Sequence, residues 1–170
     1  MTGLDFLSTD LAERRDGFEP RLVSPLAHAL PASKLGLEDI SLSTGKIEVR
    51  GTVESIDSPV EVFRITPERA LVLCDYERVG EIRLGLEKEF DTVVDLTGAL
   101  AGLRIERPDA EQLLRRLTEL DLSRLPAVGG LAHIPVHIFR DSDTVFRLFF
   151  PQEYGDYLVE VVLDTAEGLA

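Results

Sequence analysis

Among its 170 residues the chain has one cysteine, one methionine and no tryptophan, and aromatic residues make up 6% of it. A single thiol, Cys74, cannot close an internal disulfide, and no Cys/His spacing of the zinc type occurs. Neither a disulfide-stapled scaffold nor a metal module is indicated, and a reducing, cytoplasmic setting is expected. Positive charge is scarce too: 18 Lys and Arg stand against 31 Asp and Glu, leaving a formal charge of -13. A field of that sign repels phosphate backbones and anionic lipid, so nucleic acid and membrane surfaces are not expected as partners. No apolar run is long enough to span a bilayer, and the opening MTGLDFLSTDLAERRDG carries acids at positions 5 and 10, unlike a signal peptide. Neither a G-x-G-x-x-G turn nor a phosphate loop of the G-x-x-x-x-G-K type is present, so the usual devices for dinucleotides and nucleoside triphosphates are missing.

What is there is a globular composition, 44% hydrophobic and 29% charged. The polar, weakly periodic residues 1–20 read as a flexible N-terminal arm, and residues 21–170 as a single domain. From about residue 46 a rhythm of two short strands and one amphipathic helix occurs three times. In the first unit, Val60 to Ile65 alternates, a Thr-Pro-Glu-Arg turn follows, and Ala70 to Cys74 returns. Val79, Ile82, Leu86 and Phe90 then mark a helical stripe. The second unit runs from Asp91 to Leu96, turns at Thr97-Gly98 and continues as Ala99 to Glu106. A helix from Pro108 follows, with Asp109 and Glu111 at its positive end and Ala110, Leu113, Leu114, Leu117 and Leu120 as its apolar stripe. In the third unit Ile134, Val136 and Ile138 share one strand face, Phe146, Leu148 and Phe150 share another, and Asp141 to Thr144 turn between them. A last helix is predicted from Pro151, with Tyr154, Tyr157, Leu158, Val161, Val162 and Thr165 on its stripe. The fold class expected is α+β, with three strand-strand-helix units forming a largely antiparallel sheet and helices packed on one face.

Chemistry-bearing constellations are few. His133 and His137 sit four apart, but in a strand they lie about 13 Å apart, and Pro135 argues against a helix that would bring them together. No metal site is expected, and no Ser/His/acid arrangement singles out a catalytic residue. Gly129-Gly130 reads as turn chemistry, Cys74 as a core thiol, and Asp95 as the cap of the Thr97-Gly98 turn. One surface stands out: His133, His137 and Phe139, with Val145, Arg147 and Phe149 on the neighbouring strand, give the third unit a second, partly apolar face. Either a partner subunit covers it or residues 22–74 do.

The run Val94-Asp95-Leu96-Thr97-Gly98-Ala99-Leu100-Ala101-Gly102-Leu103-Arg104-Ile105, followed by Pro108-Asp109-Ala110, Leu113-Leu114 and Asp121-Leu122, resembles the sarcosine oxidase gamma subunit family. The resemblance continues through Ile134-Pro135-Val136, Phe146 to Pro151, Tyr154, Tyr157-Leu158 and Leu163 to Ala166, with an opening segment at Ser24 to His28. Two departures mark it: Arg107 replaces the usual glycine before Pro108, and Ala127 to Ala132 replaces a glycine-cysteine-alanine type segment. That family in turn resembles the folate-binding domain of the glycine cleavage T-protein. The resemblance implies a non-catalytic small subunit of a multimeric, sarcosine oxidase-like amine-oxidising complex linked to tetrahydrofolate one-carbon metabolism. Its partners would be larger flavin-bearing and folate-binding subunits, so FAD and tetrahydrofolate belong to the complex and no cofactor to this chain alone.

Two other readings follow from the same residues. The chain is a stand-alone folate-binding, aminomethyltransferase-like domain with Asp95 and Arg104 as its polar contacts, or a homo-oligomeric scaffold that associates through the face of His133, His137, Phe139, Val145 and Phe149.

Overall fold

The computed structural model describes residues 22–30, 32–53, 56 and 60–169; the arm expected over 1–20 lies outside them. Among the described residues, nine strands form two antiparallel sheets. Sheet I has the order β1-β6-β9-β8-β7, built from β1 (Leu37–Asp39), β6 (Leu100–Glu106), β7 (Ala127–Leu131), β8 (Ile134–Arg140) and β9 (Val145–Pro151). Sheet II has the order β3-β4-β2-β5, built from β2 (Thr44–Arg50), β3 (Glu61–Thr66), β4 (Arg69–Asp75) and β5 (Thr92–Asp95). The described residues also form three α-helices: α1 (Val79–Leu86), α2 (Ala110–Leu117) and α3 (Gly155–Glu167). The α+β class and the antiparallel pairing are as expected, but the layers number four rather than two.

The layering follows from residue alternation. On one face of sheet I, Leu103, Ile105, Val136, Ile138, Phe146, Leu148 and Phe150 pack with Leu113, Leu114, Leu158 and Val162 of α2 and α3. On one face of sheet II, Ile47, Val49, Ala70 and Val72 pack with Ile82 and Leu86 of α1. The remaining faces of the two sheets meet each other, where Phe63, Leu71 and Leu73 of sheet II join Phe139 and Phe149 of sheet I. The central strands β2, β4, β6 and β9 are therefore buried on both sides, which a strand achieves only if successive residues are both kept from water.

Several elements depart from the sequence expectation. The second unit is divided: β5 pairs with β2 in sheet II, whereas β6 pairs with β1 and β9 in sheet I. The chain thus leaves sheet I after β1, builds sheet II and α1, and returns through Thr97-Gly98 to lay β6 beside β1. Gly129-Gly130 lies inside β7, not in a turn. Pro151 closes β9 and a 3-10 turn over Gln152–Tyr154 precedes α3, so the last helix starts later than its proline. Its buried stripe is Gly155, Leu158, Val159, Val162 and Ala166, while Tyr154 and Tyr157 are exposed. The turn at Arg107 does without a glycine because the residue is not in the left-handed region. Its guanidinium instead binds the Asp109 carboxylate and donates to the Ala166 carbonyl at 3.2 Å. A glycine is required instead at Gly36, at φ +75°, where a Cβ would stand 2.2 Å from the Glu106 carbonyl oxygen.

Candidate functional site

Where the chain crosses between the sheets, a cluster of polar side chains is enclosed that hydropathy reads as solvent-facing. Along β2 the residues alternate, so Ile47 and Val49 face α1 while Lys46 and Glu48 share the face of their cross-strand neighbours Leu73 and Leu71. That face is the seam between the sheets, and it leaves Lys46 with no exposure and Glu48 4% exposed.

Lys46 occupies the corner where both crossings meet. Ile40 N–H donates to the Gly102 carbonyl on the side of β6 that β1 occupies, and two residues earlier the Leu100 carbonyl points the same way, past the end of β1. The Lys46 Nζ fills that place, donating to the Leu100 carbonyl at 3.0 Å and to the Ser41 carbonyl at 2.8 Å, with the Phe149 ring centroid 6.0 Å away. Ser41 continues the same pairing, its hydroxyl accepting from Gly102 N–H at 3.0 Å. The Lys46 backbone is gripped from the second crossing, by Thr97 Oγ1 and by Leu96 N–H. Burial pulls the ammonium down to a pKa of about 8, against the partial support of Asp39 and Asp95.

Two further titratable groups share the seam. Burial pushes the Glu48 carboxyl up, but hydrogen bonds from Arg69 at 2.5 Å and Arg50 at 2.7 Å outweigh it and hold the group below its ordinary value. His137 of β8 lies edge-on to Phe63, with ring centroids 6.3 Å apart, and its buried Nδ1 has no hydrogen-bond partner. Burial, reinforced by the charge of Arg69 and only partly opposed by Glu48, lowers its pKa to about 4. At the rim, Arg147 ties the sheets together through Glu61 of β3 at 2.8 Å and is itself held by Asp141 of the β8–β9 turn at 2.7 Å.

The residues expected to form an interface are therefore found mainly inside the chain. Phe139 is 2% exposed and Phe149 fully buried, because β3 and β4 cover the face on which they lie with His137. Val145 and Arg147 are half-buried at its rim. His133 does not share that face: it stands exposed in the β7–β8 turn at φ 68°. The proposed folate contacts are not brought together either. Asp95 ends β5 in sheet II, where its Oδ1 accepts from Thr97 N–H at 2.9 Å as a turn cap. Arg104 lies in sheet I, bound to Glu38 at 3.0 Å and to Glu106 at 2.6 Å. Each of these two residues is bound to near neighbours within its own sheet or turn. Cys74 packs with the α1 core, and burial raises its pKa, contrary to the needs of a nucleophile. Among the described residues, no three His, Cys, Asp or Glu side chains converge to hold a metal, and no helix is long and apolar enough to cross a membrane.

What the seam can do is hold two sheets in register. Lys46 and Ser41 are satisfied by groups of the crossing and of β6, Glu48 by Arg50 and Arg69 of its own sheet, and full burial of Lys46 leaves a reacting molecule no approach to its Nζ. Accessible surface lies elsewhere. A cleft of about 420 Å³ beside Asp95 is lined by Leu22, Leu42 and Tyr76, all exposed. Sequence reasoning missed the seam because Lys-Ile-Glu-Val-Arg has the alternation of a strand wetted on one side; the signal available was the continuation of that strand into a chain already rich in apolar faces.

No protein-family model matches the chain, and no curated protein matches it in sequence. Its fold is shared with solved structures. A chain of the heterotetrameric sarcosine oxidase from Corynebacterium sp. U-96, solved in complex with pyrrole 2-carboxylate, superposes with a TM-score of 0.72 at 18% identity, covering 86% of this chain and 95% of that one. A chain from the structure of aspartokinase alpha and beta subunits follows at a TM-score of 0.49 and 12% identity, covering 78% of this chain and 97% of that one. The first match defines the class, a four-layered α+β fold common to this chain and a chain of a multi-subunit oxidase. At 18% identity that common fold is what it establishes.

Proposed function

We propose that the chain is a small, non-catalytic subunit of a sarcosine oxidase-like, amine-oxidising complex, with larger flavin-bearing and folate-binding chains as partners. The observation that carries this reading is the nearly end-to-end correspondence with one chain of a heterotetrameric enzyme, 86% of this chain on 95% of that one. The sequence resemblance to the gamma subunit family supports it independently. So does the enclosed character of the seam, whose polar groups are spent on holding the sheets together. Exposed Leu22, Leu42 and Tyr76 around one cleft offer apolar surface of the kind a larger chain covers.

Co-expression with the larger chains of a sarcosine oxidase-like complex tests the reading. Co-elution at fixed stoichiometry and loss of complex stability when this chain is omitted are expected. Assembly and full amine turnover by the larger chains without it, or turnover by the pure chain alone, would overturn it. Calorimetry with tetrahydrofolate distinguishes the stand-alone folate reading, which requires saturable heat from the isolated chain.

A further inference from the structure

A cleft of about 910 Å³ lies far from the crossing corner in sequence, between the end of α2, the β7–β8 turn and the start of α3. Its walls are bound to one another. Ala132 N–H donates to the Leu117 carbonyl at 2.8 Å, Thr118 Oγ1 donates to the Gly130 carbonyl at 2.6 Å, and the Tyr157 hydroxyl donates to the Ala132 carbonyl at 3.3 Å. These bonds hold a turn whose two central residues, Ala132 at φ 47° and His133 at φ 68°, are both left-handed without being glycine. Asn-Gly is the usual occupant of such a turn, so this backbone is kept in an unfavourable conformation by its surroundings and sets His133 on the cleft lining.

The charge of the lining is unlike that of the chain. Arg115 and Arg116 face a single acid, Glu119, in a protein whose formal charge is -13. Arg115 is engaged by Glu111 at 2.6 and 3.0 Å, whereas Arg116 has no ion-pair partner among the described residues. Two of the terminal carbonyls of α2 are already occupied, Leu114 accepting from Thr118 N–H and Leu117 from Ala132 N–H. Leu117, Leu120 and Ala132 make the rest of the lining apolar. A site of this size that combines one free guanidinium, one imidazole and apolar walls suits a ligand with one acidic group and a hydrocarbon body.

We propose that this cleft binds a small organic carboxylate, with the planar fork of Arg116 taking the carboxylate, His133 supplying a second donor, and Leu117 and Leu120 meeting the apolar part. Glu119 at the cleft disfavours a multiply charged phosphate. This inference stands apart from the subunit reading, because it concerns the isolated chain.

Amide chemical shifts of the full chain titrated with benzoate test it, with benzamide and inorganic phosphate in parallel. Saturable benzoate shifts confined to 115–120, 130–133 and 157 are expected, with benzamide and phosphate each binding at least tenfold more weakly, on the order of one charge-assisted hydrogen bond. Arg116→Gln should weaken benzoate about tenfold. His133→Gly, which suits the turn's backbone, should leave shifts outside the cleft unchanged and still weaken benzoate. Absence of saturable shifts, shifts elsewhere, equal binding of benzamide, tighter binding of phosphate, or undiminished binding by Arg116→Gln would each overturn the proposal.

Discussion

The ammonium of Lys46 on β2 donates to the carbonyl of Leu100 at the start of β6 across 3.0 Å, joining one sheet to the other through a side chain where no strand is left to do so. Because the lysine is enclosed, its charge is retained at a cost, and that cost depends on pH.

The unfolded chain holds the Lys46 proton up to its ordinary pKa of 10.5, whereas the folded chain gives it up from about 8. Between those values the unfolded state binds more protons, so the free energy of unfolding climbs with pH, by about 3 kcal/mol at most. Urea denaturation from pH 7 to 10.5 should show the climb, and Lys46→Met should flatten it.

The opposite end of the pH scale reports His137. Its folded pKa of about 4 lies below the ordinary 6.5, so as pH falls through that interval the unfolded state takes up the proton first and stability is lost. We expect a loss of about 2–3 kcal/mol between pH 6.5 and 4, discounted for partial exposure of the ring. His137→Leu removes both the titration and the unpartnered Nδ1, and its Tm should exceed that of the parent at pH 5.

Phe149→Glu separates a buried face from an associating one. With Phe149 fully buried between the sheets, a carboxylate there costs about 4 kcal/mol or more and should abolish the cooperative thermal transition. A folded variant of altered mass by light scattering would show instead that the face serves self-association.

Gly36→Ala tests the joint between β1 and β6. The new Cβ would meet the Glu106 carbonyl oxygen at 2.2 Å, at a backbone conformation that alanine adopts poorly. Destabilisation by about 3 kcal/mol is expected by chemical denaturation; a change under 1 kcal/mol would contradict the close approach, since overpacking of this kind costs roughly 1–3 kcal/mol.

Elements with strong alternation or a clean helical stripe were legible in the sequence: β3, β4, β8, β9 and the buried faces of α1 and α2 lie where their periodicity places them. What periodicity does not carry is the partner of each strand. Asp91 to Leu96 and Ala99 to Glu106 read as one hairpin, yet β5 is claimed by β2 and β6 by β1 and β9, through pairings with distant residues. The seam was hidden for a related reason. Lys46 and Glu48 look like a wet face, and only the approach of the second sheet converts them into interior groups. Ala-Val-Gly-Gly-Leu has weak strand preference by itself, and β7 exists because β8 offers it a neighbour.

The excursion that builds sheet II also orders the assembly of the molecule in time. Glu38 and Arg104, bonded across β1 and β6, are 66 residues apart in the chain. The β3–β4 and β8–β9 hairpins close over short turns, whereas β1 must wait for a long loop to be drawn in, and long closures are slow. The strand that opens the described fold is thus set to be among the last to dock, its arrival completing the five-stranded sheet only once the inserted layer has formed.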